Sequence, residues 1–402
     1  LVVWELPEGV PSRLAPASGF VPMAFTDQLT LTGAASVQGP DGGFELLLSW
    51  HTAGPDMTEP GAYRLEVAGQ AANGAAWQTA LPFEAYRPPE WVAVTGLGLV
   101  TPLGVTAADC ARVWAAGERA AFSPCPELAG TPLEDAPVAR LPAFDAASRV
   151  ANRKMVKFMS EAALLGSVAA HEAVTRSRVR ERCAPERIGL FAGTGLAAAD
   201  VGEVRDLIRN SLDPDGNFSC RLLGERGLAA TNPLVSFKIL ANMPGCLVSL
   251  LEGLRGPSYL FTPWEGQAAA ALAEAWRAVA EGEVDAAVAG GADTPAHPAT
   301  FVYLRQAGWL QAGEVPAPGA AYLVLERLDR ARERDAHVWG VLDEPRLAHE
   351  EGAVRDPLAE RMGRTFAAAP AILLALLCLS GGGDTSLRGT DAVGAGFRVR
   401  KP

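Results

Sequence analysis

The chain predicts a small all-β module followed by an α/β layered domain, and three observations carry that reading. Over residues 1–89 apolar side chains recur at every second position, as in Phe44, Leu46, Leu48 and Trp50 and again in Tyr63, Leu65 and Val67, the period of a strand with one buried face. At Tyr86-Arg-Pro-Pro-Glu90 the pattern stops, because consecutive prolines favour an extended backbone and make a stiff linker. From Trp91 onward, unbroken apolar runs ending in Gly alternate with stretches of helical spacing, the grammar of strands and helices packed in layers.

Taken in order, the front module carries turn signals at GPDGG (39–43), EPGAY (59–63) and AANGA (71–75), a spacing that suits a β-sandwich. Its stretch PGAYRLEVAG resembles the late hairpin of immunoglobulin-like modules. After the linker, WVAVTGLGLV reads as a buried strand, Lys154 to Val174 has helical apolar spacing, and ERIGLFAGTG is a strand entering a Gly turn. A helix follows near Phe237 to Leu254, then the strand GPSYLFT, a helix from Glu265 to Glu281 and the strand VDAAVAGGAD. The longest strongly apolar run, Ala367 to Leu379, has 13 residues; it is too short to cross a bilayer and reads as a buried helix.

Composition narrows the function classes. With 402 residues, 49% of them hydrophobic and 20% charged, the chain has the length for two or three domains and a sizeable core. Its 46 acidic against 35 basic side chains give a formal charge of -11, so it lacks the positive field that drives nonspecific nucleic-acid binding. The cysteines, at 110, 125, 183, 220, 246 and 378, are scattered without a CxxC pair, which argues against a zinc site or a disulfide framework and for a reducing cytoplasm. No metal or other cofactor is expected. A charged n-region leading into an apolar h-region is not visible, so no secretory signal is expected within the sequence.

Four pieces are common alone but specific in this order: VAVTGLGLVTPLG (92–104), IGLFAGTGL (188–196), GLRGPSYLFTPWEG (253–266) and AWRAVAEGEVDAAVAGGADTP (275–295). Together they resemble a β-ketoacyl synthase of the thiolase fold, from about Trp91 to His337. In that family a strand ends in a sharp elbow, and a cysteine at the start of a buried helix attacks an acyl thioester, its thiolate favoured by the positive end of the helix dipole. Two histidines then assist decarboxylation of a malonyl unit by stabilising the developing enolate, and the carbanion attacks the acyl-enzyme.

This sequence departs from the pattern where the chemistry is done. The resemblance puts Glu265 at the cysteine position, and a carboxylate is a poor acyl acceptor whose anhydride is hydrolytically labile. Chain-length-factor subunits and some loading-module relatives carry Gln there, a form that can act in malonyl decarboxylation; Glu265 is near-isosteric but charged, and would tend to repel the malonyl carboxylate. The nearest cysteine, Cys246, falls inside the preceding helix. The His-Gly-Thr motif expected after VWGVLDE (338–344) is absent, and the later Gly-His step reads Gly363-Arg364. Only 18 residues separate Glu344 from Gly363, too few for the missing strands and helices, while GAGFRVRKP at the end resembles a terminal strand of the fold; an internal deletion accounts for both. None of the five histidines has the context of a catalytic one.

The expectations are therefore these. The fold is a thiolase-like α/β layered domain, incomplete in its C-terminal half, behind a small all-β sandwich-like domain: 1–89 the β-module, 90–345 the ketosynthase N-terminal-like region, 346–402 a shortened remnant of the C-terminal region. Arg364 takes the second histidine position and supplies a fixed positive charge that pairs with Glu265, or caps its helix and reaches solvent. Leu196, Ser236 and Met243 align with segments lining the acyl tunnel; being mostly apolar, the same segments would also serve as core. Arg176, Arg178, Arg180 and Arg182 form a basic stretch that would receive an acidic acyl carrier protein, or is a solvated surface. The function implied is a non-condensing partner subunit, comparable to a chain-length factor, that pairs with an active ketosynthase as hetero- or homodimer through the strand GPSYLFT. The alternatives are residual acyl-thioester hydrolysis or malonyl decarboxylation at Glu265, and an inactive scaffold. Loss of C-terminal elements should leave apolar surface uncovered. No membrane span and no nucleic-acid partner are expected.

Overall fold

The structure, a computed structural model, describes residues 23–26, 29–38, 44–52, 61–70, 76–85, 91–196, 199, 201–262, 266–348, 358–388 and 394–401. The chain divides into two compact units, Leu1–Pro88 and Pro89–Pro402. In the first, β1 (Met23–Thr26), β2 (Leu29–Gln38) and β3 (Phe44–Thr52) form an antiparallel three-stranded sheet, and β4 (Gly61–Gln70) pairs with β5 (Ala76–Ala85) as a hairpin. The alternating runs that begin at Phe44 and Tyr63 lie on β3 and β4, where the backbone register pairs Trp50 with Leu31 and Tyr63 with Phe83.

The second unit is built on one mixed sheet of nine strands. These are β6 (Val92–Val100), β9 (Ile188–Thr194), β10 (Ser258–Phe261), β11 (Ala286–Asp293), β12 (Gly319–Arg327), β13 (Gly340–Leu342), β14 (Arg346–Ala348), β15 (Gly383–Arg388) and β16 (Gly394–Arg400); β7 (Phe122–Pro124) and β8 (Pro137–Ala139) make a separate hairpin. The order is β10-β9-β11-β12-β6-β13-β16-β14, with β15 also on β16. β10, β9 and β11 run parallel, and the remaining pairs are antiparallel. Strands β6, β9, β11 and all but the last residue of β12 are buried throughout, as expected of strands covered on both faces.

Among the described residues eleven α-helical segments accompany the sheet: α1 (Ala107–Ala115), α2 (Glu161–Ser177), α3 (Val201–Asn210), α4 (Cys220–Leu222), α5 (Val235–Ile239), α6 (Met243–Glu252), α7 (Gln267–Ala280), α8 (Pro298–Gln306), α9 (Leu328–Glu333), α10 (Ala359–Met362) and α11 (Ala369–Leu379). Residues of α7 and α11 share a buried cluster with Leu97, Leu99 and Leu323, while α2 packs with Val100, Leu190, Val288 and Tyr322. Gly96 and Gly98 let α2 lie directly on β6: a Cβ at either would stand 2.2 or 2.1 Å from the carbonyl oxygens of Ala173 and Ala169. Arg361 of α10 donates to the carbonyls of Val113, Trp114 and Glu118 at the end of α1 and stacks 4.0 Å over the Trp114 ring, tying the late segment to the early one.

Several helix boundaries differ from those the spacing predicts. The stretch from Lys154 splits, because Ser160 is extended and its hydroxyl accepts from Ala163 N–H as the cap of α2; Arg153–Phe158 is a separate 3-10 turn. The helix near Phe237 breaks at Leu240, which is extended, so that α5 and α6 are distinct. The apolar run to Leu379 is a buried helix, α11, preceded by a 3-10 turn at Phe366–Ala368. The uncovered apolar surface expected from the sequence does not fall on α11, which is buried from Pro370 through Leu376. The exposed large apolar side chains lie instead mainly between Val201 and Tyr259. Among the described residues no helix is long and apolar enough to cross a membrane.

Candidate functional site

The C-terminal end of β11, the start of α7 and the turn before α11 meet at one place. Gly266 opens α7 with φ 76°, a left-handed conformation that glycine adopts without strain. Its N–H donates to the carbonyl of Phe366 at 3.3 Å. Asp293, 3% exposed at the end of β11, accepts from Thr294 N–H at 2.8 Å through Oδ1 and from Ala367 N–H at 3.0 Å through Oδ2. Phe366 has φ 42°, a region that costs a bulky residue about 1–3 kcal/mol and persists where its surroundings over-determine it. Beside it the Thr365 hydroxyl is wholly buried without a hydrogen-bond partner.

Glu265, with Pro263 and Trp264, lies outside the described residues, and so does its expected pairing with Arg364. Arg364 itself follows Gly363 in a short parallel bridge to Pro316. Its guanidinium donates through Nη1 to Glu314 at 2.9 Å and to the Trp309 carbonyl at 3.3 Å, and stands 4.5 Å from the Phe366 ring centroid. The side chain is 16% exposed, so this arginine is held within the fold rather than extended into solvent.

The tunnel positions separate. Leu196 packs against the buried cluster of Phe366, Phe301, Leu304 and Leu310. Met243 packs instead with Met159, Ala163 and Leu247 under α2, and Ser236 is exposed, its hydroxyl donating to the Pro233 carbonyl at 2.8 Å. Three of the four arginines are in ion pairs: Arg176 with Glu172 at 3.1 Å, Arg178 with Glu181 at 2.7 Å and Arg180 with the buried Glu252 at 3.2 Å; Arg182 is exposed. Of the thiols, burial pushes Cys110 and Cys378 up to about 12, and it also raises Cys125 and Cys183, so these four are inert as nucleophiles at neutral pH.

Sequence reasoning missed Asp293, Glu314 and Phe366. Asp293 had a signal, a lone carboxylate ending an otherwise apolar strand; Glu314 and Phe366 had none, since their meaning comes from contacts across the fold. Nearby, a cleft of about 300 Å³ is lined by Cys125, Glu127, Arg140, Glu161 and His297. One of its walls, β8, bonds through Ala139 N–H to the carbonyl of Pro316, the residue bridged to Arg364.

Residues 90–331 match the family model described as beta-ketoacyl synthase, N-terminal domain. The 3-oxoacyl-[acyl-carrier-protein] synthase 2 of Synechocystis is 23% identical over 70% of this chain and 68% of its own length. The ketoacyl synthase beta subunit of the tetracenomycin polyketide synthase from Streptomyces glaucescens is 28% identical over 62% of this chain and 61% of its own. Across the curated relatives the chain spans 60–68% of the relative's length. The solved ishigamide ketosynthase/chain length factor superposes with a TM-score of 0.64 at 14% identity, covering 78% of this chain and 100% of that one, so the layered fold is that of the thiolase-like ketosynthases.

Proposed function

Because the chain belongs to the β-ketoacyl synthase family, we propose that it is a non-condensing member, a partner subunit in the manner of a chain length factor, acting in fatty-acid or polyketide elongation on acyl carrier protein. One observation carries the reading: the residue directly before Gly266, where the family's acyl-accepting cysteine stands, is Glu265. Arg364 compounds the loss, since a guanidinium stays protonated and cannot pass a proton as a histidine does. What remains is a fold that can bind and orient without forming the acyl-enzyme.

A partner fits the surface. β10 is an edge strand of the large sheet, and Leu250, Ile239, Leu240 and Tyr259 on and before it are 41–64% exposed, apolar side chains that a partner could cover. The carrier protein is acidic in this reading and needs free basic charge. On the stretch expected from the sequence only Arg182 makes no ion pair among the described residues, Arg178 being held by Glu181, so the pairing there favours a second patch, the exposed Arg153, Lys154 and Lys157. A reducing, cytoplasmic setting suits six free thiols.

Co-expression with a cysteine-bearing ketosynthase and an acyl carrier protein tests the role. Both should co-purify with this chain, carrier capture should weaken on charge reversal in one of the two basic patches, and the purified chain alone should release no CO2 from malonyl-carrier. CO2 or thioester turnover abolished by Glu265→Ala would establish the residual-enzyme reading instead, and a chain that captures neither partner would be an inactive scaffold.

A further inference from the structure

The cleft lined by β8, the first turn of α2 and the start of α8 has no part in the partner role proposed above. It measures about 300 Å³, at the low end of the range for small-ligand pockets. Its walls are anchored. β8 pairs with β7 and bonds through Ala139 N–H to the Pro316 carbonyl, Ser160 caps α2, and Phe301 N–H donates to the His297 carbonyl at 2.8 Å to close the first turn of α8. Three side chains of fixed charge type line the space: Glu127, Arg140 and Glu161.

The two carboxylates differ in their surroundings. Glu127 Oε2 accepts from the Cys125 thiol at 3.1 Å and stands 3.6 Å from Arg140 Nη2, and the thiol above all holds its carboxyl below the usual range. Glu161, exposed in the first turn of α2, makes no hydrogen bond or ion pair among the described residues. Desolvation by the surrounding protein raises its carboxyl, repulsion from Glu127 adds to this, and Arg140 opposes it. Two carboxylates therefore share one guanidinium, and that guanidinium lies against Glu127. Val138, Leu141 and Pro298 add apolar lining. An unmatched negative charge beside an apolar wall suits a ligand with a cationic head and a short hydrocarbon tail, whereas an anionic ligand would meet two like charges.

We propose that this cleft binds a short aliphatic primary amine in its ammonium form, with Glu161 as the receiving carboxylate and Glu127 as a second, weaker one. The site is independent of the partner reading, since none of its residues lies at the β10 edge or beside Gly266.

Titration of the full chain with n-butylammonium, read by ligand-observed saturation-transfer NMR at pH 8, where an ordinary histidine is neutral, tests the proposal. The native protein should bind butylammonium, and should bind butanol and butyrate weaker by about tenfold or more. Glu161→Gln should lose about tenfold in affinity for the amine. Glu127→Gln should lose less, because Cys125 and Arg140 already engage that carboxylate, and Arg140→Met should gain, because it removes the competing cation. A folding defect lowers binding in every variant, so opposite signs at Glu161 and Arg140 separate recognition from damage. The charge of -11 attracts any cation to this chain, and Glu225→Gln, which removes an exposed carboxylate outside the cleft, should leave the affinity unchanged. Equal affinity in the native protein and Glu161→Gln, butyrate bound as well as butylammonium, or a loss in Glu225→Gln as large as in Glu161→Gln would each overturn the proposal.

Discussion

His171 joins α2 to the end of α6 through Glu252, whose side chain is 1% exposed: Nδ1 lies 2.9 Å from Oε1, and Arg180 Nη1 lies 3.2 Å from Oε2. A carboxylate in the last turn of a helix faces the negative end of its dipole, so both cations stabilise it. The bond to Glu252 raises His171 above its ordinary 6.5, against the opposing effect of burial and of Arg180 and Arg149. A folded value above the unfolded one means that the contribution is fully present below about pH 6.5 and is lost as pH rises through the folded value. The urea midpoint should therefore fall across a window that begins near pH 6.5, and His171→Gln should flatten that fall; a native midpoint unaffected by pH through this window would refute the assignment. At this scale the identity of Glu265 and Arg364 was legible in the sequence. The partner of Arg364 was not, because Glu314 reaches it from a segment far along the chain.

Elements were legible where periodicity and burial agree. β6, β9 and β11 fall on the apolar runs, and α7 and α11 on the Ala- and Leu-rich ones. The misplaced boundaries trace to local chemistry that outweighed spacing, as at Ser160, whose cap starts α2 later than its apolar pattern does. The glycines of β6 have a meaning only in the packed state. Gly98→Ala puts a Cβ 2.1 Å from the Ala169 carbonyl oxygen, forcing α2 away from the sheet. Overpacking of that kind costs about 1–3 kcal/mol, more than the roughly 0.4–1 kcal/mol that a Gly→Ala change gains through the unfolded chain. Urea unfolding should report net destabilisation, and a variant as stable as the parent would mean that the α2–β6 approach is looser than described.

For the whole molecule, the late strands join the sheet of the early ones: β13 pairs with β6, and β16 with β13, so the C-terminal strands extend the same sheet. Burial of α11 follows from that, and leaves β10 as the edge where a partner is proposed. Stacking of Tyr259 on Phe191, with centroids 5.3 Å apart, presents the edge side chain in a fixed place. If that edge is the pairing surface, Tyr259→Lys should shift the protein from dimer to monomer in light scattering, since a lysine on an edge strand opposes strand addition; an unchanged mass would move the interface elsewhere. The sequence by itself determined the layered α/β class and the family resemblance, because these are written in local pattern and residue identity. Only the tertiary structure decided that α11 is covered, that most of the expected docking arginines are already paired, and that Arg364 is engaged by Glu314 and Phe366. Those outcomes depend on which distant groups the sheet brings within a few ångströms, and no local pattern encodes that.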